Sequence, residues 1–162
     1  MKKTFNIALI ALICGILLVG CSKKENNSSK FDLNTAKLDT IMEKLYDGFK
    51  EDELPSMVTK ELTEEELSSY IGLEKFNYKE SLISEPMIGS IPHYIVLLKV
   101  NDDVDIEVAK KEMKEKINPR KWICVEADQV IIDNIDNLMV VIVTKSDEID
   151  GKKIYDNFKN LK

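Results

Sequence analysis

Apolar residues fall along this chain in three regimes, and each predicts a different kind of structure. Residues 5 to 19 are apolar apart from Asn6, Cys14 and Gly15, whereas residues 22 to 30 (SKKENNSSK) contain no apolar residue. From Leu33 onward the apolar positions recur with helix or strand period. Leu38, Ile41, Met42, Leu45 and Phe49 share one helical face and predict a helix over 34–50, opened by Asn34. Thr63-Glu64-Glu65-Glu66 reads as a capping box, in which a hydroxyl and a carboxylate three residues apart each take a free backbone N–H. It opens a short helix that Gly72 closes.

After Gly72 the pattern changes to strands. Tyr78 to Met87 predicts one, followed by the turn residues Pro86, Gly89 and Pro92. His93 to Val100 and Leu138 to Thr144 are apolar at nearly every position, the signature of central strands covered on both faces. Trp122 to Val125 and Gln129 to Ile132 predict a further extended region, with a turn at 133–137. Ile106, Ala109, Met113 and Ile117 form a helical stripe that starts at Asp102 to Asp105 and stops at Asn118-Pro119. A last helix follows Ser146 or Asp147 and carries Ile154, Phe158 and Leu161. The prediction is an α+β domain: a mainly antiparallel sheet of about four strands, helices on one face, and two helices before it. Ile95–Leu98 and Met139–Ile142 lie 44 residues apart, and Ala109 and Met113 precede Ile154 and Phe158 by 45, which suggests a strand-strand-helix duplication.

The first apolar regime is a sorting signal. Lys2 and Lys3 precede it, and it is shorter than the ~20 apolar residues needed to span a bilayer. It ends in Leu18-Val19-Gly20-Cys21, which resembles the lipobox of bacterial lipoproteins. That resemblance implies transfer of a diacylglyceryl group to the Cys21 thiol and cleavage between Gly20 and Cys21. Leu18 would fill an apolar subsite, and small Gly20 would admit the peptidase. Domain organisation follows: residues 1–20 are a signal peptide, 21–31 a lipid-anchored tether, and 32–162 one globular domain. A polar tether of about nine residues has a reach of roughly 15–18 Å. The expected location is the outer, extracytoplasmic face of the cell membrane, because two acyl chains suffice for stable anchoring.

Charge sharpens this reading. The 162 residues carry −6 at pI near 5.0, and loss of two signal lysines with no acid takes the mature chain to −8. Clustered positive charge leads nucleic-acid binding, so that class is excluded. An anionic lipid surface repels such a domain, which leaves the lipid on Cys21 as the contact with the membrane. With Cys14 discarded and Cys21 acylated, Cys124 is the lone mature thiol; its place in Trp122-Ile123-Cys124-Val125 predicts a buried, inert side chain.

Candidate chemistry is sparse. His93 is the only histidine, and its place after Pro92 at the head of a buried strand predicts a structural role. Asn101, Asp103 and Asp105 alternate as in a calcium loop, but Ile106 stands where the sharp turn requires glycine. Neither metal nor cofactor is predicted. One segment stands out: Asn118-Pro119-Arg120-Lys121-Trp122 holds the only arginine and the only tryptophan. Arg120, Lys121 and Trp122 either form an exposed edge for an anionic ligand or partner, or place the indole in the core while the cations cover a helix end.

The run Lys121-Trp122-Ile123-Cys124-Val125-Glu126, ahead of Val130-Ile131-Ile132-Asp133-Asn134, resembles an uncharacterised family of small lipoproteins from Gram-positive bacteria, a family of unknown function. The resemblance covers roughly Leu38 to Phe158 and implies lipid anchoring, with no activity or site residue to carry over. The functional expectation is a non-catalytic binding or interaction domain at the cell envelope, whose partner is an envelope component or a protein. The alternative is an envelope-acting enzyme or accessory that uses carboxylates and His93.

Overall fold

The computed structural model describes residues 32–33 and 35–161. The sorting signal and the tether lie outside the described residues, and the first helix is shorter than the one expected over 34–50: it is opened by Lys37 rather than Asn34, and it ends at Leu45. Element order is α1 (Leu38–Leu45), β1 (Met57–Lys60), α2 (Glu64–Ile71), β2 (Tyr78–Pro86), β3 (His93–Val100), α3 (Ile106–Lys116), β4 (Gln129–Ile135), β5 (Leu138–Thr144) and α4 (Gly151–Lys159). The strands form one antiparallel sheet in the order β1-β2-β3-β5-β4.

The α+β class and the antiparallel sheet agree with the sequence reading. The sheet has five strands where about four were expected. The addition, β1, is a four-residue edge strand with only Met57 partly sheltered, so no apolar alternation announces it. The expected placement of helices on one face is incorrect. Val96, Leu98 and Val100 of β3, with Met139, Val141 and Val143 of β5, pack beneath α2 and α3. Ile95 and Leu97, with Leu138, Val140 and Ile142, pack beneath α1 and α4. Strands apolar at every position have two faces to cover, and a layer of helices lies on each.

That arrangement also bears on the suspected duplication. The strand-strand-helix order does occur twice, as β2-β3-α3 and β4-β5-α4. A two-fold axis exchanging the paired strands β3 and β5 would keep both helices on one face. Because α3 and α4 lie on opposite faces, the two units have opposite hand and do not superpose.

Local rules account for the helix ends. Thr63 Oγ1 accepts from the Glu66 amide at 3.3 Å, and Glu66 returns a carboxylate to the Thr63 amide at 3.0 Å, completing the capping box. The Lys60 ammonium, which donates to Glu66 Oε1 at 2.7 Å, together with the amide and hydroxyl of Thr63, holds the Glu66 carboxyl down at about 2. Gly72 closes α2 at φ 74°, where a Cβ would lie 2.7 Å from the Lys116 carbonyl carbon, so only glycine fits. Asp105 and Asp150 cap α3 and α4 by accepting from the amides of Val108 and Lys153. The β4–β5 turn is tighter than expected. β4 runs on to Ile135, and only Asp136, at φ 49°, and Asn137 connect the strands.

Candidate functional site

The segment containing Arg120, Lys121 and Trp122 joins α3 to β4, and it is a closed loop rather than the predicted extended region. Ile117 ends α3 by donating its amide to Met113, and Asn118 Oδ1 then accepts from the Arg120 amide at 2.9 Å. The Ala127 amide donates to the Pro119 carbonyl at 2.9 Å, and Arg120 Nε donates to Glu126 Oε2 at 2.6 Å. Beyond the loop, Asp128 accepts from both the amide and the hydroxyl of Ser146, at 2.8 and 2.7 Å. Backbone and side-chain bonds therefore fix both stems.

The three candidate residues separate. Trp122 is half-buried and tilted against Tyr94, with ring centroids 5.9 Å apart. Tyr94 meets Tyr70 edge-on at 5.1 Å and donates its hydroxyl to the Tyr70 carbonyl at 2.7 Å. Lys121 folds back so that its Nζ lies 2.9 Å from the centroid of the Tyr70 ring, a cation–π contact. Desolvation lowers the Lys121 amine to about 8; the Glu85 carboxylate opposes that fall and Lys60 adds to it. Glu85 in turn accepts from the Tyr70 hydroxyl at 2.8 Å. Lys121 and Trp122 thus converge on the Tyr70–Tyr94 pair. Arg120 stays exposed, paired with Glu126 across the mouth of the loop. No local pattern marks Tyr70, Tyr94 and Glu85 as partners, because 28 residues or more separate each of them from Trp122 in sequence.

The apex of the loop overturns the expectation for Cys124. Its thiol is exposed, and its backbone adopts the left-handed region at φ 65°. Ile123 beside it is 87% exposed. With Trp122 turned inward, the tight return to Glu126 lifts the next two residues outward. A run of four apolar letters suggests a buried strand, yet only its first and last residues, Trp122 and Val125, are half-buried.

His93 occupies a different environment. It is 1% exposed; its Nε2 lies 3.0 Å from the Tyr46 hydroxyl, which also donates to Ser84 Oγ at 3.2 Å. Burial lowers the imidazole to about 3, so the ring is neutral at physiological pH. Its Nδ1 has no partner among the described residues. The ring meets the Tyr46 side chain, and no carboxylate bonds to it among the described residues. Ser90, the nearest hydroxyl in sequence, lies on the exposed β2–β3 connection.

The acids weighed as calcium ligands serve structure. Asp105 caps α3, and both carboxylate oxygens of Asp103 accept from the Asn77 side-chain amide at 3.0 Å. No group of three His, Cys, Asp or Glu side chains converges on a metal-binding position among the described residues. Two clefts, of about 450 and 550 Å³, flank Tyr78 at the other end of the sheet from His93. No helix among the described residues is long and apolar enough to cross a membrane. Comparison with known protein families, curated proteins and solved structures found no match for this chain.

Proposed function

We propose that this chain is a membrane-anchored lipoprotein of the extracytoplasmic face, and that its globular domain is a non-catalytic binding or interaction module. The observation that carries the reading is the box Leu18-Val19-Gly20-Cys21 at the end of a 15-residue, mostly apolar run. Acylation of Cys21 supplies the membrane contact, and the acidic domain then stands clear of anionic headgroups. The α3–β4 loop supports the second half of the reading. It is braced at its base and displays side chains at its apex, the usual division between a rigid scaffold and a recognition loop. Arg120, Lys121 and Trp122 belong to that loop as its clasp and its seat, and they remain the proposed recognition element for an envelope component or protein partner.

Cells grown with a labelled fatty acid test the anchor. The native chain should take up label and sediment with membranes, whereas Cys21→Ser should lose the label and leave the membrane fraction. Label retained by Cys21→Ser would refute the reading.

A further inference from the structure

We propose that β4 is a pairing edge at which two copies of this chain join as antiparallel strands about a two-fold axis. The product is one continuous sheet with five strands from each copy. The two outer strands of the sheet are finished differently. β1 is four residues long, mostly exposed, and ends in Lys60, features that discourage edge pairing. β4 runs for seven residues, and its consecutive Val130, Ile131 and Ile132 are apolar and only half-buried.

The backbone shows which groups on β4 are free. Ile135 and Leu138 pair across the two-residue turn, so the odd positions of β4 bond to β5. The even positions turn their amides and carbonyls outward. Asn134 displays this directly, since its amide donates to the neighbouring Asp133 Oδ1 at 2.8 Å. Lys110 Nζ lies 3.1 Å from Asn134 Oδ1 and 3.5 Å from Asp133 Oδ1, which closes that end of the edge. Val130 and Ile132 remain, each with an outward amide and carbonyl and no second strand beside them among the described residues. Such groups are a template for another extended backbone.

The occupant follows from the fit of this edge to itself. Antiparallel pairing sets outward residues opposite outward residues. An axis at Val130 or at Ile132 would put Asp133 opposite Ala127 or Ile131 of the second copy. An axis at Ile131 instead puts Val130 opposite Ile132 and Gln129 opposite Asp133. The run Gln129-Val130-Ile131-Ile132-Asp133 has the same polarity in either direction, polar at both ends and apolar between. The backbone and the side chains therefore select one register, and it is self-complementary. An axis normal to the sheet also keeps each face on its own side. Ile131 meets Ile131 on the α4 side, and Val130 meets Ile132 on the α3 side, so each copy covers the half-exposed flanks of the other. The pairing uses neither the lipid anchor nor the α3–β4 loop, so it stands or falls apart from the function proposed above.

Disulfide trapping of the full chain in cell membranes tests the pairing. Every variant carries Cys124→Ser, which removes the exposed thiol, and that parent reads the background. Ile131→Cys sets the new thiols at a directly opposed, non-hydrogen-bonded pair, where Cα atoms lie about 4.5 Å apart and within disulfide reach. Mild oxidation should give one species of twice the chain's mass. Its yield should be at least tenfold above the parent and above Val58→Cys on β1, where the side chain is 38% exposed. Adding Ile132→Pro removes an outward amide that the fold does not use. It should cut the yield at least tenfold, while Trp122 emission of the purified chain stays native. Should proline disturb that emission, Val130→Lys makes the same test. A yield no greater than that of Val58→Cys, an adduct of any other mass, or a yield that survives the edge substitution in a chain of native emission would each overturn the pairing.

Discussion

His93 and Tyr94 are consecutive residues of β3 that point to opposite faces of the sheet, and their polar atoms end in different surroundings. Under α1, the His93 ring meets the Tyr46 hydroxyl, which in turn bonds Ser84, and its other nitrogen has no partner among the described residues. On the α2 side, Tyr94 passes through Tyr70 to Glu85 and supports Trp122 and Lys121. The first cluster is a dead end, sealed and neutral. The second is continuous with a surface loop. One strand therefore supplies a rigid stop on one face and a loop mount on the other, and the proposed recognition loop sits on the Tyr94 side.

The comparison breaks most severely at Tyr94. Replacement by alanine removes a ring that is 1% exposed and the seat of Trp122. It should cost about 3–5 kcal/mol in denaturant unfolding, and the emission of the single tryptophan should shift to the red. Unchanged Trp122 emission would separate the loop from its proposed mount.

His93 sharpens the comparison through pH. Its folded pKa near 3 lies below the ordinary 6.5, so the unfolded chain binds the proton first as pH falls. Stability from this group is complete above pH 6.5 and is lost as pH drops toward 3. The slope approaches ~1.4 kcal/mol per unit when only the unfolded state is protonated. Between pH 6.5 and 5.5, above the carboxylate range, stability of the native chain should fall toward this slope, and His93→Gln should lose markedly less. Equal slopes would mean that the imidazole is not sealed.

The smallest effect belongs to the loop's cations. Arg120→Ala with Lys121→Ala removes an exposed ion pair and a ring contact, and should change stability by only about 1 kcal/mol. It should also weaken capture of the partner, as should added salt, since exposed charges are screened beyond ~8–10 Å. A large loss of stability instead would assign both cations to the fold alone.

Much of this fold was legible before any coordinates. The Thr63–Glu66 box, the stop at Gly72, and the strands His93–Val100 and Leu138–Thr144 follow from local chemistry and periodicity. The second helical layer was missed, although His93–Val100 and Leu138–Thr144, apolar at nearly every position, required cover on both faces. The Trp122–Val125 run misled, since apolar letters encode burial only where a partner surface exists. Trp122 finds Tyr94, while Ile123 and Cys124 find solvent. The seat itself, formed by Tyr70, Tyr94 and Glu85, joins three elements that no local pattern connects. β1 escaped because an exposed edge strand of four residues needs no apolar alternation.

Cys124 offers the most direct single test, since it should be the only free thiol of the mature chain once Cys14 is removed and Cys21 acylated. Intact cells treated with a membrane-impermeant thiol reagent should incorporate one label per chain, recovered in the membrane fraction and absent from Cys124→Ser. That result requires an exposed loop apex and an extracytoplasmic domain together. Labelling only after lysis would contradict the proposed location, and labelling only after denaturation would contradict the exposed loop.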